Sequence, residues 1–124
     1  MSHAVMRPTF ERRDDRGWMV ELLNRGPWET VLWGEMKAGA VMGNHYHRRT
    51  KIFFFLTRGS ARVDTLQVET GEKGRLQLKA GEGVHFPVMQ THAIRFQGES
   101  EFLMLKSEPY DAKDPDTISY PVPE

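Results

Sequence analysis

The chain has 124 residues, enough for one hydrophobic core and too few for two ordinary domains. Its 17 basic residues balance its 17 acidic ones, so the global field favours neither nucleic acid nor an anionic membrane as partner. The absence of cysteine excludes disulfides, thiolate metal sites and a cysteine nucleophile, and makes the cytoplasm the default expectation.

In chain order, residues 1–16 carry Pro8 and the charged run Glu11 to Asp15, and are read as an N-terminal arm or a short edge strand. They contain no apolar h-region, so no secretory leader is expected, and no apolar run approaches the ~20 residues of a spanning helix. His3, within the arm, is assigned no role. Trp18 to Leu23 and Glu29 to Met36 follow as short runs of strand-forming residues, and Ala38 to Gly43 reads as a glycine-bearing turn. Ile52 to Leu56 is apolar on both parities, as expected of a strand buried on both faces. Ala61 to Glu69 and Arg75 to Lys79 read as a hairpin with its tip at Thr70 to Gly74. Val84 to Pro87, His92 to Gln97 and Glu101 to Lys106 complete the strands. Short strands broken by turn signals about every ten residues argue an all-β sandwich or barrel. The prolines at 109, 115, 121 and 123 predict an extended tail on the surface.

The chemistry centres on Gly43-Asn44-His45-Tyr46-His47-Arg48-Arg49-Thr50-Lys51. Histidines at i and i+2 of an extended segment project from one face, so His45 and His47 can address one small volume. Tyr46 points the other way. Downstream, His92 shares its parity with Ile94 and Phe96; if those two face the core, so does His92. Singly, each histidine reads as a solvated or hydrogen-bonded residue. Together on two strands of a closed β architecture, three imidazoles can converge on one cavity, a recognisable ligand set for Zn, Fe, Ni, Cu or Mn. His85 is a fourth candidate ligand: it faces the cavity if Val84 and Phe86 pack outward, and lies outside if they line it. Arg48, Arg49, Arg58, Arg62 and Arg95 read singly as solvated surface. Clustered beside the histidine pair, one or two could hold a pyrophosphate.

These segments resemble the two cupin motifs, with Gly43, His45, His47 and Gly59 in the first and Gly81, Pro87 and His92 in the second. Met89 stands where the second motif usually has glycine. The resemblance implies a cupin-type double-stranded β-helix, a jelly-roll barrel, over residues 17–108, with 109–124 as the tail. A narrower resemblance is to cupins that rearrange nucleotide sugars. Asp15-Arg16-Gly17, Gly43 to His47, Pro87 to His92, and Tyr110-Asp111 with Pro115-Asp116-Thr117 resemble the C-terminal cupin domain of UDP-N-acetyl-L-fucosamine-pathway enzymes. His45 to Lys51 also resembles the His-x-His-Lys-Lys-Thr-Lys stretch of dTDP-sugar 3,4-ketoisomerases. The glutamate that follows His-x-His in metal-binding cupins is absent, its positions being taken by Lys51 and Ile52, and an inward ammonium would oppose a cation.

The leading expectation is therefore an isomerase or epimerase of a nucleotide-linked 4-keto sugar that requires no cofactor. His45 and His47 would serve as acid and base, Lys51 or Arg95 would stabilise the enediolate, and Arg49, Arg95 and Tyr46 would contact substrate. One alternative is a metal-dependent cupin enzyme of dioxygenase or polyketide-cyclase type, with His45, His47, His92 and His85 as ligands. Another is a non-catalytic sugar-binding cupin. The expected partners are a nucleotide sugar and a second copy of the chain in a homodimer.

Overall fold

The computed structural model describes residues 5–123, so His3 lies outside the described residues. Among these there are eleven strands and no helix, and hence no helix long and apolar enough to cross a membrane. Strands β1 (Phe10–Asp14) and β2 (Gly17–Glu21) form a separate antiparallel hairpin with Phe10, Trp18 and Met19 exposed. Four strands form one sheet in the order β3 (Thr30–Met36), β10 (Ser100–Lys106), β5 (Ile52–Arg58), β8 (Glu82–Phe86). Five form the other, in the order β11 (Ile118–Ser119), β4 (Val41–Tyr46), β9 (Gln90–Phe96), β6 (Ser60–Gln67), β7 (Lys73–Lys79). All pairings are antiparallel, as in the jelly roll expected.

The two sheets face each other across one apolar core. Ile52, Phe54, Leu56, Val84, Phe86, Phe102 and Met104 come from the first sheet, and Ala61, Val63, Leu78, Ile94 and Phe96 from the second. Burying each large side chain contributes about 1.5–3 kcal/mol, and the stacking of Phe54 on Phe102, with centroids 5.2 Å apart, adds to it. Phe53 and Phe55 are buried as well, on the opposite face of β5, so that strand is covered on both sides as its composition predicts.

One irregularity sets the direction of the histidines. The stretch expected to be a turn, residues 38–43, already enters β4, and the register between β4 and β9 slips between Gly43, paired with Ala93, and His45, paired with His92. Asn44 is the extra residue, in the left-handed region at φ 59°, so Met42 and His45 both face inward although they are three apart. The tail locks the bulge: the N–H groups of Tyr120 and Val122 donate to the backbone carbonyl and the side-chain oxygen of Asn44, each at 2.9 Å. The tail is thus pinned to the second sheet, with Val122 buried. Gly43 has φ 105°, and a Cβ there would lie 2.3 Å from the His92 carbonyl oxygen. We expect Gly43→Ala to cost about 3 kcal/mol or more, read as a shift in the urea midpoint, because strained backbone and a backbone clash add.

Candidate active site

At one end of the barrel the inner face of the second sheet carries His45, His47 and His92. Ring centroids are 5.0 Å apart for His45 and His47, 5.0 Å for His45 and His92, and 6.2 Å for His47 and His92. The ring of His92 lies flat on Phe86, with centroids 4.1 Å apart and planes at 9°, which fixes its orientation from the opposite sheet. His47 Nδ1–H donates to the backbone carbonyl of Asp116 at 2.6 Å. A carbonyl can only accept, so the neutral ring carries its proton on Nδ1 and a lone pair on Nε2. That Nε2 is buried and has no hydrogen-bond partner among the described residues.

Asp116 builds the loop that presents His47. Its carboxylate accepts from the backbone N–H groups of Arg48, Arg49 and Thr50 at 2.8–2.9 Å, and from the Thr50 hydroxyl at 2.8 Å. Partial burial works to raise its pKa, but these hydrogen bonds win and hold it at about 2.

Lys106 completes the cluster. Phe102, Met104 and Lys106 alternate along β10 with the first two in the core, so the lysine faces inward where that strand reaches the histidines. It shares a narrow cleft with His47, Thr50, Tyr110, Asp111 and Asp116. Burial, then the charges of His47 and Lys106, push His45 down to about 4. Burial, then His45 and His47, push His92 down to about 3. Burial is also the main cause of the lowered value of His47. All three are neutral imidazoles at pH 7.

This carries a pH signature. For His92 the folded pKa lies below the unfolded value of 6.5, so the unfolded chain binds more protons between the two. The stability it contributes is complete above about pH 6.5 and is lost as pH falls through about 3. The loss should approach about 5 kcal/mol at most, measurable as a falling urea midpoint from pH 6.5 downward, and a flat profile over that range would contradict it.

Several expected site residues lie elsewhere. Val84 and Phe86 line the core, so His85 faces out, edge-on to Trp28 with centroids 6.4 Å apart, and is not a fourth ligand. Lys51 lies with His85 in a separate outer hollow, because the chain alternates at the start of β5: Thr50 faces the cleft and Lys51 the other side. Arg95, opposite in parity to Ile94, lies with Arg62 and Arg75 around Asp64 on the outside of the second sheet. Tyr46 packs edge-on against Tyr120. Arg49 does line the cleft, engaged by Glu108 and Asp114.

Among the described residues no three histidine, aspartate or glutamate side chains are placed to hold an ion. No carboxylate joins the imidazoles, and the Lys106 charge opposes a cation there.

Two facing antiparallel sheets form a cupin-type jelly roll, the fold of solved nucleotide-sugar isomerases and epimerases. More narrowly, the chain belongs to the polysaccharide biosynthesis C-terminal domain family, whose model matches residues 12–118. The capsular polysaccharide assembling protein CapF from Staphylococcus aureus is 26% identical, with a TM-score of 0.72 over 91% of this chain and 34% of CapF. The chain thus spans about a third of that protein's length. The 3,4-ketoisomerase QdtA from Thermoanaerobacterium thermosaccharolyticum, solved with TDP, shares the fold at a TM-score of 0.76 and 18% identity, over 95% of this chain and 87% of QdtA. WlaRA, a TDP-fucose-3,4-ketoisomerase from Campylobacter jejuni, does so at 0.77 and 14%, over 96% and 90%. No curated protein sequence matches the chain.

Proposed function

We propose that the chain is an isomerase or epimerase of a nucleotide-linked 4-keto sugar, working by proton transfer from histidine. The observation that carries this reading is the His47 ring: neutral, fixed as the Nδ1–H tautomer by the Asp116 carbonyl, with a buried Nε2 lone pair, and with two further imidazoles at centroid distances of 5.0 and 6.2 Å. A carbonyl acidifies the neighbouring C–H. His47 Nε2 takes that proton, the electron pair of the C–H bond passes into the enediolate, and Lys106 balances the charge on its oxygens. The imidazolium so formed, or His45 after relay, returns a proton to carbon. Once the remaining hydroxyl proton of the enediolate has passed to the former carbonyl oxygen, return to the former carbonyl carbon moves the carbonyl; return to the opposite face of the first carbon inverts it. Lys106 thus takes the part expected of Lys51, and Arg49 at the rim suits a phosphate oxygen.

The test is conversion of a panel of 4-keto nucleotide sugars by intact protein before and after treatment with a chelator. Conversion that survives chelation supports the reading, and conversion that disappears and returns with added metal supports a metal-dependent cupin instead. Binding without conversion points to a sugar-binding module. Lys106→Met should lower turnover by about 10²–10³-fold, as removal of an oxyanion stabiliser does, with a smaller change in substrate affinity.

A homodimer is part of the same reading. Val31 and Trp33, on the outward face of β3, are 68% and 74% exposed, and the β1–β2 hairpin adds Phe10, Trp18 and Met19. So much exposed apolar surface on a small chain suits a second copy. Sedimentation should give twice the chain mass at micromolar concentration, and a monomer at every concentration would rule the dimer out.

A further inference from the structure

We propose that the hollow holding Lys51 and His85 is a second ligand site, separate from the histidine cleft, for a small phosphate that carries a flat ring. It lies on the outward face of β5 and β8, where Phe53 pairs with His85, while Ile52 and Phe86 of the same strands face the core. The sheet therefore separates it from His45, His47 and His92. Its volume of about 290 Å³ is at the low end of the range for small-molecule sites, roughly 300–1,000 Å³, and far exceeds the ~20 Å³ of the histidine cleft.

The walls are held mainly by backbone hydrogen bonds. Met6 and Gly83 exchange two hydrogen bonds at 2.7 and 2.8 Å, the Glu29 N–H donates to the Lys106 carbonyl, and the Trp28 indole N–H donates to the Arg25 carbonyl. Pro27, Trp28 and Phe53 supply flat apolar wall, and Arg25, Lys51 and His85 supply the polar groups. Among the described residues no carboxylate lines the hollow. Arg7, Arg49, Arg58, Arg62 and Arg75 each have a carboxylate partner, whereas among the described residues neither Arg25 nor Lys51 has one. Two unneutralised cations flanking an aromatic wall call for an anion at one end of the ligand and a ring at the other. The shared chemistry is that of an aryl phosphate or a nucleoside monophosphate.

The probes are phenyl phosphate and UMP, with inorganic phosphate and uridine as the separate halves. Each is titrated into the intact protein while the indole N–H signal of Trp28 is followed by NMR. We expect at least one ring phosphate to move that signal saturably and to bind at least about tenfold more tightly than either half. Which of the two binds distinguishes the sources. Arg25→Ala and Lys51→Ala, both exposed positions, should each weaken binding by about tenfold. His47→Asn should leave it unchanged, so this site stands or falls independently of the proposed catalysis. No saturable shift with either ring phosphate would overturn the proposal. So would equal binding of inorganic phosphate alone, or binding lost in His47→Asn and kept in Lys51→Ala.

Discussion

Replacing His47 by Asn is expected to lower turnover of a 4-keto nucleotide sugar by about 10²–10⁴-fold, the range typical of a lost general base. Asn suits the test because its amide N–H falls near the place of Nδ1–H. The bond to the Asp116 carbonyl can therefore persist while the Nε2 lone pair is removed. The urea midpoint should move by less than about 1 kcal/mol in equivalent stability, since the exchange retains the one hydrogen bond the ring makes. His92→Asn should act differently. It removes a ring stacked on Phe86 in the core, so it should cost stability first and rate mainly through the orientation of its neighbours.

Asp116→Ala is the second large effect, and it falls on fold and rate together. Three backbone N–H groups and the Thr50 hydroxyl lose their acceptor at once. Water can reach those of exposed Arg48 and Arg49, but Thr50 is buried, so a loss of about 2–4 kcal/mol is expected. The Asp116 carboxyl, held at about 2 against an ordinary 3.8, contributes stability that is complete above about pH 4 and lost as pH falls through 2. The variant should lack that part of the acid transition. Turnover should fall with stability, because the loosened loop no longer holds His47 against the residue 116 backbone carbonyl that selects its tautomer. An Asp116→Ala protein with unchanged stability and rate would mean that the loop at 47–50 is held by something else.

Much of the fold was legible because β-strand parity is a strict rule. Ile52 to Leu56 announced a doubly buried strand, and the i, i+2 spacing of His45 and His47 put both rings on one face whatever preceded them. His92 followed from Ile94 and Phe96. The same rule could have excluded Arg95, an odd step from Ile94, and found Lys106, two even steps from Phe102. His85 was different in kind. Its direction depended on whether Val84 and Phe86 faced the core, and both sides of this sheet carry buried aromatics, so hydrophobicity could not choose. Asp116 lies 69 residues from His47, and no local pattern ties a tail carboxylate to a distant loop. Only the resemblance of the segment around Pro115-Asp116-Thr117 marked it. The bulge at Asn44 was equally silent, because a single residue at positive φ leaves the pattern of the flanking strand intact.

If His47 Nε2 moves a proton at a carbon next to a carbonyl, exchange with solvent reports that step directly. The measurement is proton NMR of a 4-keto nucleotide sugar in deuterium oxide with catalytic amounts of the intact protein, chelator present, beside the His47→Asn variant. One carbon-bound proton signal adjacent to the keto group should disappear with the intact protein, and about 10²–10⁴-fold more slowly with the variant. Equal exchange rates for the two proteins, or no exchange with any 4-keto nucleotide sugar that the intact protein binds, would contradict it.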